Sequence, residues 1–185
     1  MSKLTIPQLK KELKSYGADT LISIIVDNYK SSPDVKKYIH MLLDPESTEN
    51  QLFDEAKKKI LHQFYPERGE AKLKLAEAKK AITEFDRLCN NQVKTIDLMI
   101  YYVELGVELA NEYGDMYESY YYSMESTYAN ALQKIQTIDD NGLYFRFRDR
   151  LLGIVNDTDG MGWGFHDQLC EIYYGFAADY EDEIE

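Results

Sequence analysis

The chain has few of the features that mark a secreted or membrane-embedded protein. Only two of its 185 residues are cysteine, Cys89 and Cys170, and their positions form no disulfide pattern. No stretch of sequence approaches the ~18 consecutive apolar residues that a membrane-spanning helix needs, and the N-terminus lacks an apolar signal region. We therefore expect a soluble cytoplasmic protein with two reduced thiols and no membrane partner.

The sequence also lacks the alternation of apolar and polar residues that marks a half-buried β-strand. Apolar residues recur instead at three- and four-residue intervals, between recognisable helix starts and stops. This pattern predicts an all-α protein of about nine helices joined as antiparallel hairpins. Because helices five to eight form two hairpins of roughly 40 residues each, the spacing favours a right-handed, helical-repeat-like stack. A compact irregular helical bundle is the alternative.

The length of the chain suits one folding unit. We expect a single all-helical domain over residues 1–185, within which residues 1–66, the N-terminal helices, could separate from the helical hairpins and C-terminal helix of residues 67–185. We predict the starts of eight helices at or near Thr5, Asp19, Ser32-Pro33, Thr48, Glu70, Asn91, Asp115 and Asp139 or Asp140. Stop signals lie at Gly17, Asp44-Pro45, Pro66 and Gly114.

Apolar stripes along these helices predict the core. The sixth helix is apolar on two faces, which is typical of a central, buried helix. The second helix carries an apolar stripe at Leu21, Ile22, Ile25, Val26 and Tyr29. The seventh helix has an aromatic stripe that predicts burial of Tyr117, Tyr120, Tyr121 and Met124, while Tyr122 faces solvent.

One short segment, Gly160 to Asp167, departs from the helical pattern. It contains three of the ten glycines and Trp163, the single tryptophan of the chain. Alternating glycines mark a shaped loop, and we predict that Trp163 is buried there and holds the last helix against the preceding hairpin. In the alternative, Trp163 is an exposed recognition residue. The candidate interaction residues are Trp163, His166, Asp167 and the exposed Tyr122.

Acidic residues outnumber basic ones, and the excess lies in the second half of the chain. Residues 1–88 carry 16 Lys/Arg and 14 Asp/Glu, a net charge of +2, whereas residues 89–185 carry 5 and 19, a net charge of −14, which together give −12. Such a surface repels nucleic acid and anionic lipid. It is either a solvated face or the binding surface of a basic partner.

Basic residues are concentrated near the N-terminus. The segment from Leu4 to Gly17, with Lys10, Lys11 and Lys14, resembles the first helix of SAP domains, which are small helix-pair DNA-binding modules. A SAP domain continues into a second helix with basic residues at its start, but here an apolar helix containing Asp27 follows. We therefore expect the lysines to solvate a helix face, and no nucleic acid as a partner.

The sequence carries no recognisable catalytic signature. His166 and Cys170 share a helix face, but two ligands from one helix do not make a zinc site. Glu104, Glu108 and Glu112 also share a face, yet the Glu-x-x-His motif of carboxylate-bridged metal bundles is missing. Phosphate-binding, dinucleotide-binding and nucleophile-elbow motifs are missing as well. We predict no metal and no cofactor, and we identify no catalytic residue.

Two segments together carry a family resemblance. The opening helix pair, with Tyr29-Lys30 and Ser32 to Lys36, and the run Gly162 to Asp167 resemble a family of small, uncharacterised, all-helical bacterial proteins. The resemblance spans most of the chain and implies no catalytic residues. We therefore expect a non-catalytic module that binds a protein or peptide, with an enzyme or small-ligand binder using Trp163–His166 as the alternative.

Overall fold

A computed structural model describes residues 4–138 and 141–181 of the chain, and every regular element in these residues is an α-helix. The predicted all-α class is therefore confirmed. The helices of the described residues are α1 (Ile6–Leu13), α2 (Ala18–Ser31), α3 (Pro33–Leu43), α4 (Pro45–Phe64), α5 (Leu75–Cys89), α6 (Gln92–Tyr113), α7 (Glu118–Ile138), α8 (Asn141–Asp157) and α9 (Phe165–Glu181). None of these helices is both long and apolar enough to cross a lipid bilayer.

Local capping chemistry sets several helix ends where the sequence predicts them. Thr5 and Gln8 form a capping box at the start of α1. The side chains of Ser32 and Asn91 each accept a hydrogen bond from a backbone amide in the first turn of α3 and α6. Gly114 follows α6 with a φ of 85°, a conformation that glycine adopts at low cost.

Two helix starts differ from the prediction. α4 begins at Pro45 instead of Thr48, because the Asp44 carboxylate accepts a hydrogen bond from the amide of Ser47 and proline suits the first helical position. α5 begins at Leu75 instead of near Glu70, because the amides of Lys72 and Leu73 both donate to the Gln63 carbonyl at the end of α4. This arrangement holds Leu73 at a φ of 51°, outside a helix.

Three further ends fall near, but not at, the predicted residues. α1 ends at Leu13, and Gly17 caps the start of α2. α7 begins at Glu118, so that Tyr117 lies in the preceding loop. The predicted start of α8 at Asp139 or Asp140 lies outside the described residues.

The contacts divide the chain into two compact units, residues 1–50 and residues 51–185. The first unit holds α1–α3 and the first residues of α4. Here α2 packs on α3, and the ring of Tyr29 stacks on His40, with its hydroxyl 2.8 Å from the imidazole Nε2. No described residue of α1–α3 is fully buried, and the apolar stripe of α2 is at most half-buried. Three short helices are too few to enclose one another's apolar faces.

The second unit is built around α6, which packs on α5, α7 and α8. Twelve of its residues are buried, which confirms the prediction of a central helix. α9 packs on α7 and α8, so that α6, α7, α9 and α8 close a ring of four helices. The predicted pairing of α7 with α8 is wrong, since the well-packed partners of α7 among the described residues are α6 and α9. Two stacked hairpins do not make a repeat array, and the repeat-like stack is not confirmed.

Candidate functional site

A cleft of about 600 Å³ lies between α6 and α8, and acidic side chains dominate its lining. We call it the acidic cleft. Its charged residues are Glu104, Glu108, Glu112, Asp157 and Arg150. Val107 and Ile154 also line it, although each side chain is almost fully buried. Four carboxylates thus face one guanidinium.

The three glutamates line the cleft because they recur every four residues along α6. Residues four apart on a helix lie one above the other, with Cβ atoms about 5–6 Å apart. The sequence predicted this acidic row, in which like charges four residues apart repel one another unless a counter-charge offsets them. Arg150 of α8 supplies part of that counter-charge.

Arg150 joins α8 to α6 through three short hydrogen bonds. Its Nε and Nη2 donate to the two carboxylate oxygens of Glu104, each at 2.7 Å, and its Nη1 donates to Asp97 Oδ1 at 2.7 Å. The fork of a guanidinium matches a carboxylate in this bidentate geometry. These hydrogen bonds raise the pKa of Arg150, although burial acts in the opposite direction. The positive charge of Arg150 is therefore already paired with carboxylates at one end of the cleft.

The remaining carboxylates have no such partner. Within the described residues, no lysine or arginine forms an ion pair with Glu108, Glu112 or Asp157. The negative charges of Glu108 and Glu112 also act on Tyr65, the residue that follows α4. The pKa of Tyr65 is raised, first by burial and then by these two carboxylates. The cleft is therefore a region of negative potential that disfavours further negative charge.

The C-terminal ends of α6 and α8 lie side by side at one end of the cleft. Asn111 Nδ2 donates to the carbonyl oxygen of Asp157 at 2.7 Å. The loops that follow the two helices also meet, since a Cβ placed on Gly162 would lie 3.4 Å from Asp115 Oδ1. Three exposed aromatic residues belong to this end of the second unit, and we call them the aromatic rim: Tyr113, Tyr117 and Trp163.

The predicted burial of Trp163 is wrong. Its side chain is 69% exposed, and its backbone has a φ of 61°, in the left-handed region that bulky residues avoid. Phe165 takes the buried position instead, where its ring packs 4.8 Å from that of Tyr121. The three residues of the loop with positive φ, Gly160, Trp163 and Gly164, turn the chain so that the indole projects outwards and Phe165 inwards.

Tyr121 connects the two loops. Its ring contacts Phe165 at the start of α9, and its hydroxyl accepts a hydrogen bond from the amide of Met116 at 3.1 Å. The predicted burial of Tyr120, Tyr121 and Met124 is confirmed, whereas Tyr117 is 51% exposed, against prediction, because it precedes α7. Two residues of the aromatic rim, Tyr117 and Trp163, therefore lie in loops that rest on a buried tyrosine.

The other candidate residues do not converge on Trp163. His166, half-buried, turns inwards, where its Nδ1 lies 3.0 Å from Thr158 Oγ1 and its Nε2 lies 3.4 Å from Cys170 Sγ. Asp167 is exposed in the first turn of α9. Tyr122 is exposed on α7, as predicted, and no hydrogen bond or ring contact in the described part of the chain links it to the other three.

Sequence reasoning missed Arg150 and Asp157 as cleft residues, because only the pairing of α6 with α8 brings them to the acidic row. It also missed Asn111, which lies on α6 three residues after Glu108. A weak signal existed, since Arg150 is one of only three arginines in the acidic second half beyond residue 89. No group of three His, Cys, Asp or Glu residues within the described ranges is placed to hold a metal ion.

Comparison with known proteins identifies the family of the chain. It belongs to a family of unknown function, DUF6155, whose model matches residues 1–177. No curated protein and no solved structure matches the chain. The resemblance to a family of unknown function that the sequence suggested is thereby confirmed.

Proposed function

We propose that this protein is a non-catalytic interaction module that binds a basic segment of a partner protein in the acidic cleft. One observation carries the proposal: the carboxylates of Glu108, Glu112 and Asp157 line a cleft in which the single cation, Arg150, is already paired with Glu104 and Asp97. An arginine or lysine from a partner would supply the missing positive charge.

The spacing of the carboxylates suits a regular peptide. Glu108 and Glu112 lie one helical turn apart, and a basic peptide presents side chains at a similar interval, either on successive turns of a helix or at alternate residues of an extended strand. A volume of about 600 Å³ accommodates a few such side chains.

The aromatic rim supports the same proposal at the end of the cleft. Holding a non-glycine residue at a positive φ costs about 1–3 kcal/mol of folding free energy. Because Trp163 is exposed, burial of its side chain offsets little of this cost. Tryptophan and tyrosine faces attract lysine and arginine through cation–π interactions. We therefore include Trp163 and Tyr117 in the proposed binding surface, in which a basic segment leaves the cleft across the rim.

The proposed site does not rely on Tyr122, His166 or Asp167, and it involves neither nucleic acid nor membrane. Neither cysteine forms a disulfide, and we propose the reducing cytoplasm as the compartment.

A peptide titration tests the proposal. The probe is a fluorescein-labelled peptide with arginines spaced one helical turn apart, and a peptide of the same composition with the arginines clustered at one end is the reference. We expect anisotropy to show saturable binding of the spaced peptide and weaker binding of the clustered one. Glu108→Lys should weaken binding by about tenfold or more, since a like charge in the cleft opposes the ligand.

Glu171→Lys is the matched control, because Glu171 is an exposed helical glutamate on α9 and the substitution changes the net charge equally. It should alter the affinity by no more than about twofold. Equal losses in the two variants would show attraction to overall charge alone, and the cleft would then not be the binding site. An absence of binding to either peptide at low salt would also contradict the proposal.

Once a peptide binds, affinity capture from the bacterial host that the sequence resemblance implies would identify the partner. The wild-type protein and the Glu108→Lys variant serve as paired baits. Proteins retained by the wild type and lost from the variant are the candidates, and each should contain a basic segment.

A further inference from the structure

A thiol and an imidazole lie in hydrogen-bond contact on α9. Cys170 Sγ is 3.4 Å from Nε2 of His166, and the two residues are four apart on one helix face. Both residues are half-buried, so part of each remains exposed to solvent. A nucleophile within reach of a base that a third group orients is the usual arrangement of an activated thiol.

Thr158 is the third group, and its hydrogen bonds determine the tautomer of His166. Thr158 is fully buried, with an exposure of 0%, and its hydroxyl donates to the carbonyl of Val155 at 2.6 Å. A hydroxyl has one proton, so towards His166 Nδ1, 3.0 Å away, the threonine oxygen can only accept. Nδ1 therefore carries the proton, and the lone pair of Nε2 faces the thiol.

We propose that Cys170 is a reactive thiol, a modification site for small electrophiles whose natural class is the hydroperoxides. His166 accepts the thiol proton at Nε2, and Thr158 is a positioning residue that holds the imidazole in the required tautomer. This inference is independent of the acidic cleft, because none of the three residues lines it.

The proposed oxidation balances with hydrogen peroxide as the oxidant. The proton of Cys170 moves to His166 Nε2, and the sulfur then attacks one peroxide oxygen. The S–O bond forms as the O–O bond breaks, and the leaving hydroxide takes the proton back from Nε2 as water. Sulfur is oxidised by two electrons to a sulfenic acid while the peroxide is reduced to water.

Cys89 provides an internal reference. It is also half-buried and forms no disulfide, and the residue four positions before it is Phe85, which cannot act as a base. Comparing the two thiols within one molecule removes differences in protein concentration, reagent and global stability.

The experiment measures the two alkylation rates with iodoacetamide, using mass spectrometry of the intact fold at neutral pH. In this reaction an S–C bond forms, iodide leaves and the proton stays on His166. We expect Cys170 to react about tenfold or more faster than Cys89. His166→Asn should reduce this ratio to near one, and Thr158→Val should reduce it partially. Circular dichroism confirms that each variant is folded.

A parallel reaction with hydrogen peroxide, followed by trapping of sulfenic acid with dimedone, should label Cys170 and spare Cys89. Cys170→Ser confirms the assignment by losing the label. Equal alkylation rates for the two thiols in the wild type, or a rate ratio unchanged in His166→Asn, would overturn the proposal. Rapid alkylation without any dimedone label would overturn the assignment to hydroperoxides.

Discussion

Gly106 and Trp163 occupy positions with opposite demands on side-chain size. At Gly106 the helices α6 and α7 approach so closely that an added Cβ would lie 2.3 Å from Met124 Sδ. The carbonyl of Gly106 also accepts a hydrogen bond from the Tyr120 hydroxyl at 2.7 Å. Trp163 instead occupies a backbone conformation that suits glycine, yet it carries the largest of side chains.

Gly106→Ala should lower the free energy of unfolding by about 1–3 kcal/mol, because a methyl group forced into a packed core displaces its neighbours. Met124 is fully buried, so the flexible end of its side chain would have to repack inside the core. Urea denaturation measures the change. Gly175→Ala is the control, since a Cβ there meets nothing within 4 Å. It should raise stability by about 0.5–1 kcal/mol, as alanine favours a helix interior. Similar effects in the two variants would contradict the close approach.

Trp163→Gly should leave the free energy of unfolding within about 1 kcal/mol of the wild type, because loss of strain offsets the greater freedom of the unfolded chain. A buried tryptophan would instead cost about 3–5 kcal/mol on truncation. Since Trp163 is the single tryptophan, its fluorescence reports its surroundings directly. We expect red-shifted emission that acrylamide quenches readily in the folded wild type. Blue-shifted, protected emission would show that the indole is covered.

At the level of helices, the sequence predicts best those elements whose ends depend on local chemistry. Asn91 and Gly114 bound α6 as predicted, because a side-chain cap and a left-handed glycine act within a few residues. The start of α5 was missed because Lys72 and Leu73 bond to Gln63, a residue of another helix. The acidic row on α6 was also predictable, whereas its contact with Arg150 depends on how α6 and α8 pack.

Burial was harder to predict than helix identity. The stripes of α2 and α6 look alike in sequence, but α6 is enclosed by three other helices, while α2 packs well with only α3 among the described helices. The prediction of burial also failed for a single residue, Trp163. Phe165, two residues later, takes the buried place against Tyr121, and the apolar pattern did not distinguish between the two rings.

The packing of α6 against α8 gives a testable prediction about the contact between two helices. Arg150→Met should lower the free energy of unfolding by about 1–3 kcal/mol, because Glu104 and Asp97 lose charged hydrogen bonds and repel each other without the guanidinium. This range allows for partial solvent screening, since the Arg150 side chain is 33% exposed.

Lys59→Met is the control for Arg150→Met. Lys59 pairs with Glu84 at 3.6 Å, and both side chains are more exposed than the Arg150 cluster. Removing this pair should change the free energy of unfolding by less than about 0.5 kcal/mol. Urea denaturation compares the two variants, and equal losses would argue that the Arg150 cluster adds nothing beyond an ordinary surface pair.

In the molecule as a whole, buried tyrosines make the stability of the fold depend on pH in the alkaline range. The Tyr120 hydroxyl donates to the Gly106 carbonyl, and that of Tyr128 donates to the Leu151 carbonyl at 3.0 Å. Burial raises the pKa of Tyr102 to about 12, although its hydrogen bond with Ser123 partly opposes this. Burial is also the main cause of the raised pKa of Tyr120 and Tyr128. The four-helix ring therefore encloses phenols that must stay protonated.

The protein should unfold cooperatively as the pH rises above 10. Each of these tyrosines has a folded-state pKa above the value of 10.0 for a free tyrosine, so the native state holds its phenolic protons more tightly than the unfolded state. Their stabilising contribution is complete below pH 10 and is lost as the pH rises above 10, and the contribution of Tyr102 is lost by about pH 12. We expect loss of helical circular dichroism to coincide with a late step in tyrosinate absorbance, after the exposed tyrosines have titrated. Tyr128→Phe should shift the midpoint upwards, because one ionisable phenol is removed from the core. Complete titration of all tyrosines near pH 10 with the helices intact would contradict a core lined by protonated tyrosines.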